Sequence, residues 1–189
     1  MIKADFIARS VAVLFLCADF FLSACSQHEP PQPTDSSVAS LANYALYSND
    51  GVVLRHPPHW SLEYDDSPDL FADKGISFKT SAISYADVLI FNDRDIHIAD
   101  LVDHVEKSLQ LTSANHIDDY QRRPLQLGSY KGIALSWRNT MLAEYKVELS
   151  IFQIKTESKR AFVIFNFDES AIRSDAAHRI PFIESIEIK

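Results

Sequence analysis

Four glycines in 189 residues leave little room for the glycine-rich backbone cradles that hold phosphates. The phosphate-loop pattern is absent, as are Gly-x-Ser-x-Gly and His-Glu-x-x-His. No nucleophile with an orienting base stands at a local spacing, so neither catalysis nor a cofactor is expected. Cysteine is rarer still. The two, Cys17 and Cys25, both fall in the first 25 residues, which leaves the rest of the chain without a thiol for a disulfide. Basic charge is in deficit: 18 Lys and Arg stand against 26 Asp and Glu, a formal net charge of −8. Such a surface repels phosphates and argues against nucleic acid as a partner. Long apolar runs are missing too. Residues 10–18 form one that is too short to cross a bilayer, which takes about 20 residues.

That short run has a role of its own. Lys3 and Arg9 precede it, and Leu22-Ser23-Ala24-Cys25 follows. Small residues before a cut site mark a secretory signal. The four residues also resemble the lipobox of bacterial lipoproteins, which implies cleavage between Ala24 and Cys25 and diacylation of the Cys25 thiol. Cys17 fits poorly, because Leu16 precedes it. Asp19 interrupts the apolar run and Asp5 dilutes the basic start. The alternatives are an ordinary cleaved signal and a buried N-terminal helix that is never cut. From Ser26 to Ser37 the chain is polar and carries three prolines, the composition of an extended, semi-stiff tether. Ser26, rather than aspartate, after the cysteine favours by analogy the inner leaflet of the outer membrane, with the domain facing the periplasm. The organisation expected is a signal peptide over 1–24, a lipidated tether over 25–40 and one domain over 41–189.

Within that domain, residues 43–48 and 52–56 read as two strands joined by Asn49-Asp50-Gly51, a hairpin signal. Pro57-Pro58 ends the second strand. Residues 60–64 and 76–79 alternate apolar and polar, while 85–91 contains Val88-Leu89-Ile90-Phe91, the mark of a strand covered on both sides. Asp95 is expected to cap a helix whose apolar face is Ile98, Leu101, Val102, Val105 and Leu109. Further strands follow over 124–127, 133–138, 145–154 and 161–167. The apolar phase of the third of these shifts at Phe152 and Ile154, which predicts a bulge or cover on both faces. Ile172, Ala176, Ile180 and Ile183 space out a closing helix that Pro181 disturbs. Strands and helices are segregated rather than alternating. The pattern indicates an α+β domain, a mostly antiparallel sheet with helices packed on it.

Three features together resemble the PsbP-like family, which includes bacterial lipoproteins of the DcrB kind. They are the opening hairpin running into Pro57-Pro58-His59-Trp60, the strand-helix-strand order across residues 43–188, and the ending Phe182-Ile183-Glu184-Ser185-Ile186-Glu187-Ile188. His59 stands where the family usually carries glycine. The resemblance implies an α/β/α sandwich, a terminal helix leading into a short strand, and an accessory or binding role.

Candidate sites are few. His56 and His59 are weak candidates to share a metal, since they flank two prolines that forbid a helix. Asp93, Arg94, Asp95 and His97 gather charge at a strand-to-helix junction, where a helix start favours acids in any case. Asp65, Asp66, Asp69 and Asp73 form an acidic loop without calcium-loop spacing. Trp60, Trp137, Tyr130 and Tyr145 suit either a groove or strand interiors, with core packing favoured for both tryptophans. The leading expectation is a non-catalytic, lipid-anchored periplasmic protein that binds a partner protein. The alternatives are an immunity or inhibitor lipoprotein against a periplasm-targeted toxin, and a metal carrier or hydrolase.

Overall fold

A computed structural model of the chain describes residues 41–66, 72–92, 95–113, 117–140, 145–156 and 159–189. The signal segment, Cys25 and the tether lie outside the described residues, as do Asp69, Asp93 and Arg94. No helix among the described residues is long and apolar enough to cross a membrane.

The first strands, β1 (Ala45–Asn49) and β2 (Val52–His56), pair through a two-residue Asp50-Gly51 turn. Both turn residues have positive φ, 45° and 76°, the geometry that twists a tight hairpin correctly and that selects Asp-Gly. β3 (Ser61–Asp66), β4 (Lys74–Lys79) and β5 (Tyr85–Phe91) then build one half of a second sheet. α1 (Ile98–Ser113) crosses over it. β6 (Ile117–Leu127), β7 (Tyr130–Asn139), β8 (Tyr145–Lys155) and β9 (Arg160–Asp168) complete a seven-stranded antiparallel sheet of order β3-β4-β5-β9-β8-β7-β6. The chain closes through α2 (Glu169–Ser174), a 3₁₀ turn (Ala176–His178), α3 (Arg179–Glu184) and β10 (Glu187–Ile188). β10 pairs with β2, making the hairpin a three-stranded sheet.

The long sheet is covered on both sides. On one, Leu101, Val102, Val105 and Leu109 of α1 pack on Leu89, Phe91, Leu135, Val147, Leu149, Ile151, Phe162 and Ile164. On the other, the small sheet and the closing helices bring Leu54, Trp60, Phe182 and Ile183 onto Phe78, Val88, Phe152, Phe165 and Phe167. This is the α+β architecture read from the sequence. Every residue of β5 is buried, as the apolar run Val88-Leu89-Ile90-Phe91 predicts for its second half, and the burial extends to Asp87.

Several local expectations need correction. Asp95 does not cap α1. Its carboxylate reaches Arg160 at 3.1 Å, and the helix begins after His97, whose N–H donates to Asp100 at 2.9 Å while its carbonyl accepts from the first turn. The phase shift in β8 is no bulge, because its ladders run without a break. Val147, Leu149 and Ile151 lie under α1, whereas Phe152 and Ile154 face the other layer, so both faces are covered along different halves of the strand. The strand over 124–127 is the end of an eleven-residue edge strand. Pro124 is tolerated there because β6 pairs on one side only. The single closing helix is broken in two at Asp175, and Ala176 is exposed.

Gly132 shows how tightly β7 and β8 approach. A Cβ there would stand 2.3 Å from the carbonyl oxygen of Ile151 and 2.7 Å from the ring of Phe152.

Candidate functional site

The break at Asp175 places a carboxylate inside the molecule. The Asp175 N–H completes the last turn of α2 by donating to the carbonyl of Ala171, and the backbone then leaves the helical path. Asp175 is 2% exposed. Its Oδ1 accepts from the indole of Trp60 at 2.8 Å and meets Nε2 of His59 at 2.9 Å, while the Ser174 hydroxyl donates to Oδ2 at 2.7 Å. Trp60 and His59 arrive together because a turn closes from the Trp60 N–H to the Pro57 carbonyl at 3.0 Å. Pro58 and His59 sit at its corner, where the fixed φ of proline suits the first central position.

The 3₁₀ turn after Asp175 delivers His178. Its ring centroid lies 5.5 Å from that of His59, and its Nδ1 lies 2.6 Å from the hydroxyl of Tyr44. Burial lowers the pKa of His178; Asp175 pulls it up in part, and His59 pushes it down again. Burial, and then the negative charge of Asp175, raises the pKa of Tyr44. One donor atom each from His59, Asp175 and His178 lies within 4.8 Å of the others. The site thus gathers two imidazoles, a carboxylate, a phenol and an indole at the rim of the aromatic layer, where Trp60 packs on Phe182 with centroids 5.2 Å apart.

Of the residues singled out from sequence, only His59 and Trp60 reach this site. His56 is turned away from it. Its Nδ1 engages the carbonyl of Pro57 at 2.9 Å, its ring lies 4.5 Å from that of Phe78, and burial lowers its pKa against the pull of that carbonyl. The two histidines flanking the prolines therefore do not converge. Tyr44, Asp175 and His178 were missed. The one local signal for them is the three-residue spacing of Asp175 and His178.

The other candidates have structural partners. Asp65 accepts from Asn49 at 2.7 Å and lies 3.2 Å from the Lys74 ammonium. Burial works to raise its pKa, but Tyr47, Asn49 and Lys74 together outweigh that and hold it below the usual carboxylate value. Asp73 accepts from the N–H of Asn92 at 2.8 Å. His97 is exposed and lies 3.7 Å from Asp95. Trp60 and Trp137 are both buried, and Tyr130 packs against the aromatic layer. Trp137 and Tyr145 also line a groove of about 570 Å³ with Asp119, Arg138, Lys146 and Glu169. Asp119 has φ 54°, at an irregularity in the pairing of β6, and its carboxylate meets Arg138 at 2.7 Å.

No protein-family model matches the chain, and no curated protein matches it. Among solved structures, the fold is similar to that of cyanobacterial PsbP (CyanoP) from Synechocystis sp. PCC 6803, at 12% identity and a TM-score of 0.50, over 89% of this chain and 99% of that one. Looser likenesses are to LpqN, involved in cell envelope biogenesis of Mycobacterium tuberculosis (15% identity, TM-score 0.40, 77% of this chain and 90% of that one), and to the Ran-binding protein Mog1p of Saccharomyces cerevisiae (12% identity, TM-score 0.41, 77% and 95%). The first of these likenesses establishes a PsbP-like fold, as the sequence features suggested; a fold leaves the activity open.

Proposed function

We propose that this chain is an accessory protein of the bacterial cell envelope, cut after Ala24 and diacylated at Cys25, which binds a partner protein from the periplasmic side of the outer membrane and catalyses no reaction. The anchor rests on Leu22-Ser23-Ala24-Cys25 and the proline-rich tether behind it. The observation that carries the binding role is the placement of the exposed leucines. Leu41 is 38% exposed, Leu46 58% and Leu62 48%. All three fall between residues 41 and 62, the stretch that directly follows the tether. Leu46 lies on β1 and Leu62 on β3, each a terminal strand of its sheet among the described residues. Exposed leucines on strands with a free edge suit a protein partner.

The test is capture from detergent-solubilised envelopes with the full-length chain. One partner should be recovered reproducibly and lost with the double change Leu46→Glu and Leu62→Glu. Recovery of no specific partner ends the reading. Cys25→Ser should release the domain from the membrane, and continued attachment would remove the anchor from the account. The net charge of −8 favours a second reading, an immunity lipoprotein that covers a basic toxin. An adjacent toxin gene would support it, and an unrelated gene neighbourhood would count against it.

A further inference from the structure

Asp175 meets the imidazole of His59 at 2.9 Å. No lysine or arginine among the described residues pairs with this carboxylate, although it is 2% exposed. Burying a carboxylate is costly unless donors and a countercharge compensate it. Trp60 and Ser174 supply donors, and neither supplies charge. A bound cation would supply that charge, and imidazoles beside a carboxylate are donors suited to zinc.

We propose that His59, Asp175 and His178 form a three-ligand site for a zinc ion, with the fourth position open to solvent. Their donor atoms already lie within 4.8 Å of one another. Zinc–ligand bonds of about 2.0–2.2 Å place tetrahedral ligands roughly 3.4 Å apart, so a modest contraction completes the site. His59 can supply that movement, because its side chain is 52% exposed and sits on a turn. The other two ligands are held in place. Trp60 and Ser174 fix the two oxygens of Asp175, and the Tyr44 hydroxyl, 2.6 Å from Nδ1, fixes the ring of His178. Hydrogen bonds that orient the ligands from behind are the usual support of a metal site. Three protein ligands and one free position would let the ion bind a further donor, such as a side chain of a partner protein. The site therefore goes beyond partner binding through the exposed leucines and stands or falls separately from it.

The experiment is calorimetric titration of the metal-stripped full-length chain with zinc chloride. One ion per chain is expected. His59→Gln and His178→Gln should each weaken binding by about tenfold or more, whereas His56→Gln and His28→Gln should leave it unchanged. Since His59 is exposed, its replacement leaves the core intact. As an independent readout, copper(II) should quench the fluorescence of Trp60 in a Trp137→Phe background, and His59→Gln should suppress that quenching at the same copper concentration. No saturable zinc binding, or an affinity unchanged by His59→Gln, overturns the site. A loss in His56→Gln as large as that in His59→Gln overturns it as well.

Discussion

Among the described residues, each face of the central sheet buries one carboxylate, and the two are accommodated in different ways. Asp87 lies on β5 on the same side as Leu89 and Phe91, in the floor beneath α1. It receives a hydrogen bond from the Ser77 hydroxyl and is buried; burial pushes its pKa up to about 7, with Ser77 pulling the other way. Asp175, at the rim of the opposite layer, is met by an indole, a hydroxyl and an imidazole. Solvation by protein groups is thus sparse at one acid and ample at the other. The first site favours taking up a proton, whereas the carboxylate at the second is oriented by donors on both of its oxygens and so can serve a ligand.

The same substitution should therefore have opposite signs at the two positions. Asp87→Asn is expected to give the largest effect, and to be stabilising. An unfolded carboxyl titrates near 3.8 and the folded one near 7, so the folded form holds a proton that the unfolded chain has lost. Stability is then full below pH 3.8, falls as pH rises towards 7 and levels off above it. The slope is roughly 1.4 kcal/mol per pH unit for this one group. The asparagine variant removes that fall and should be the more stable protein at pH 8 in urea melts. A variant less stable than the parent at pH 8 would break the contrast.

Asp175→Asn comes next, and it should destabilise. It weakens hydrogen bonds that a charged acceptor makes worth about 1.5–3 kcal/mol. Trp60→Phe removes the donor and part of a buried ring; the lost hydrogen bond and the poorer packing together should cost about 1–2 kcal/mol, visible in the same melts. Asp95→Ala marks the lower end. Asp95 is 73% exposed where it meets Arg160, and such pairs contribute about 0–1 kcal/mol, so the melt should scarcely move. A loss at Asp95 equal to that at Asp175 would show that burial is not what separates these acids.

The two faces also differ in how far the sequence exposes them. The layer under α1 is local and periodic. Leu101, Val102, Val105 and Leu109 recur at helical spacing, and Val88-Leu89-Ile90-Phe91 is a continuous run, so both are visible without coordinates. The Asp50-Gly51 hairpin is visible for the same reason, since two adjacent residues determine it. The opposite layer is assembled from the two ends of the domain. Tyr44 and His178 stand 134 positions apart in the chain, and His59 and Asp175 stand 116 apart, so no window contains them. Only the end of β6, residues 124–127, is visible, because an exposed edge strand needs only backbone pairing and its first seven residues show no apolar period. The break at Asp175 escapes because Ile172, Ile180 and Ile183 fit helical spacing whether or not the helix is continuous. What interrupts it is a tertiary bond to Trp60.

The last residues have one more consequence. β10 joins β2, the N–H of Lys189 donates to the carbonyl of Gly51 at 2.9 Å, and the Ser185 hydroxyl accepts from the N–H of Arg55 across 130 positions. The first hairpin is therefore finished by a strand made about 130 positions after it. Until residues 187–188 are in place, it has no third strand to lean on. Contacts of such long separation form slowly. The layer that holds the buried Asp175 is thus a late one to close: it waits for segments that the first hairpin cannot reach on its own.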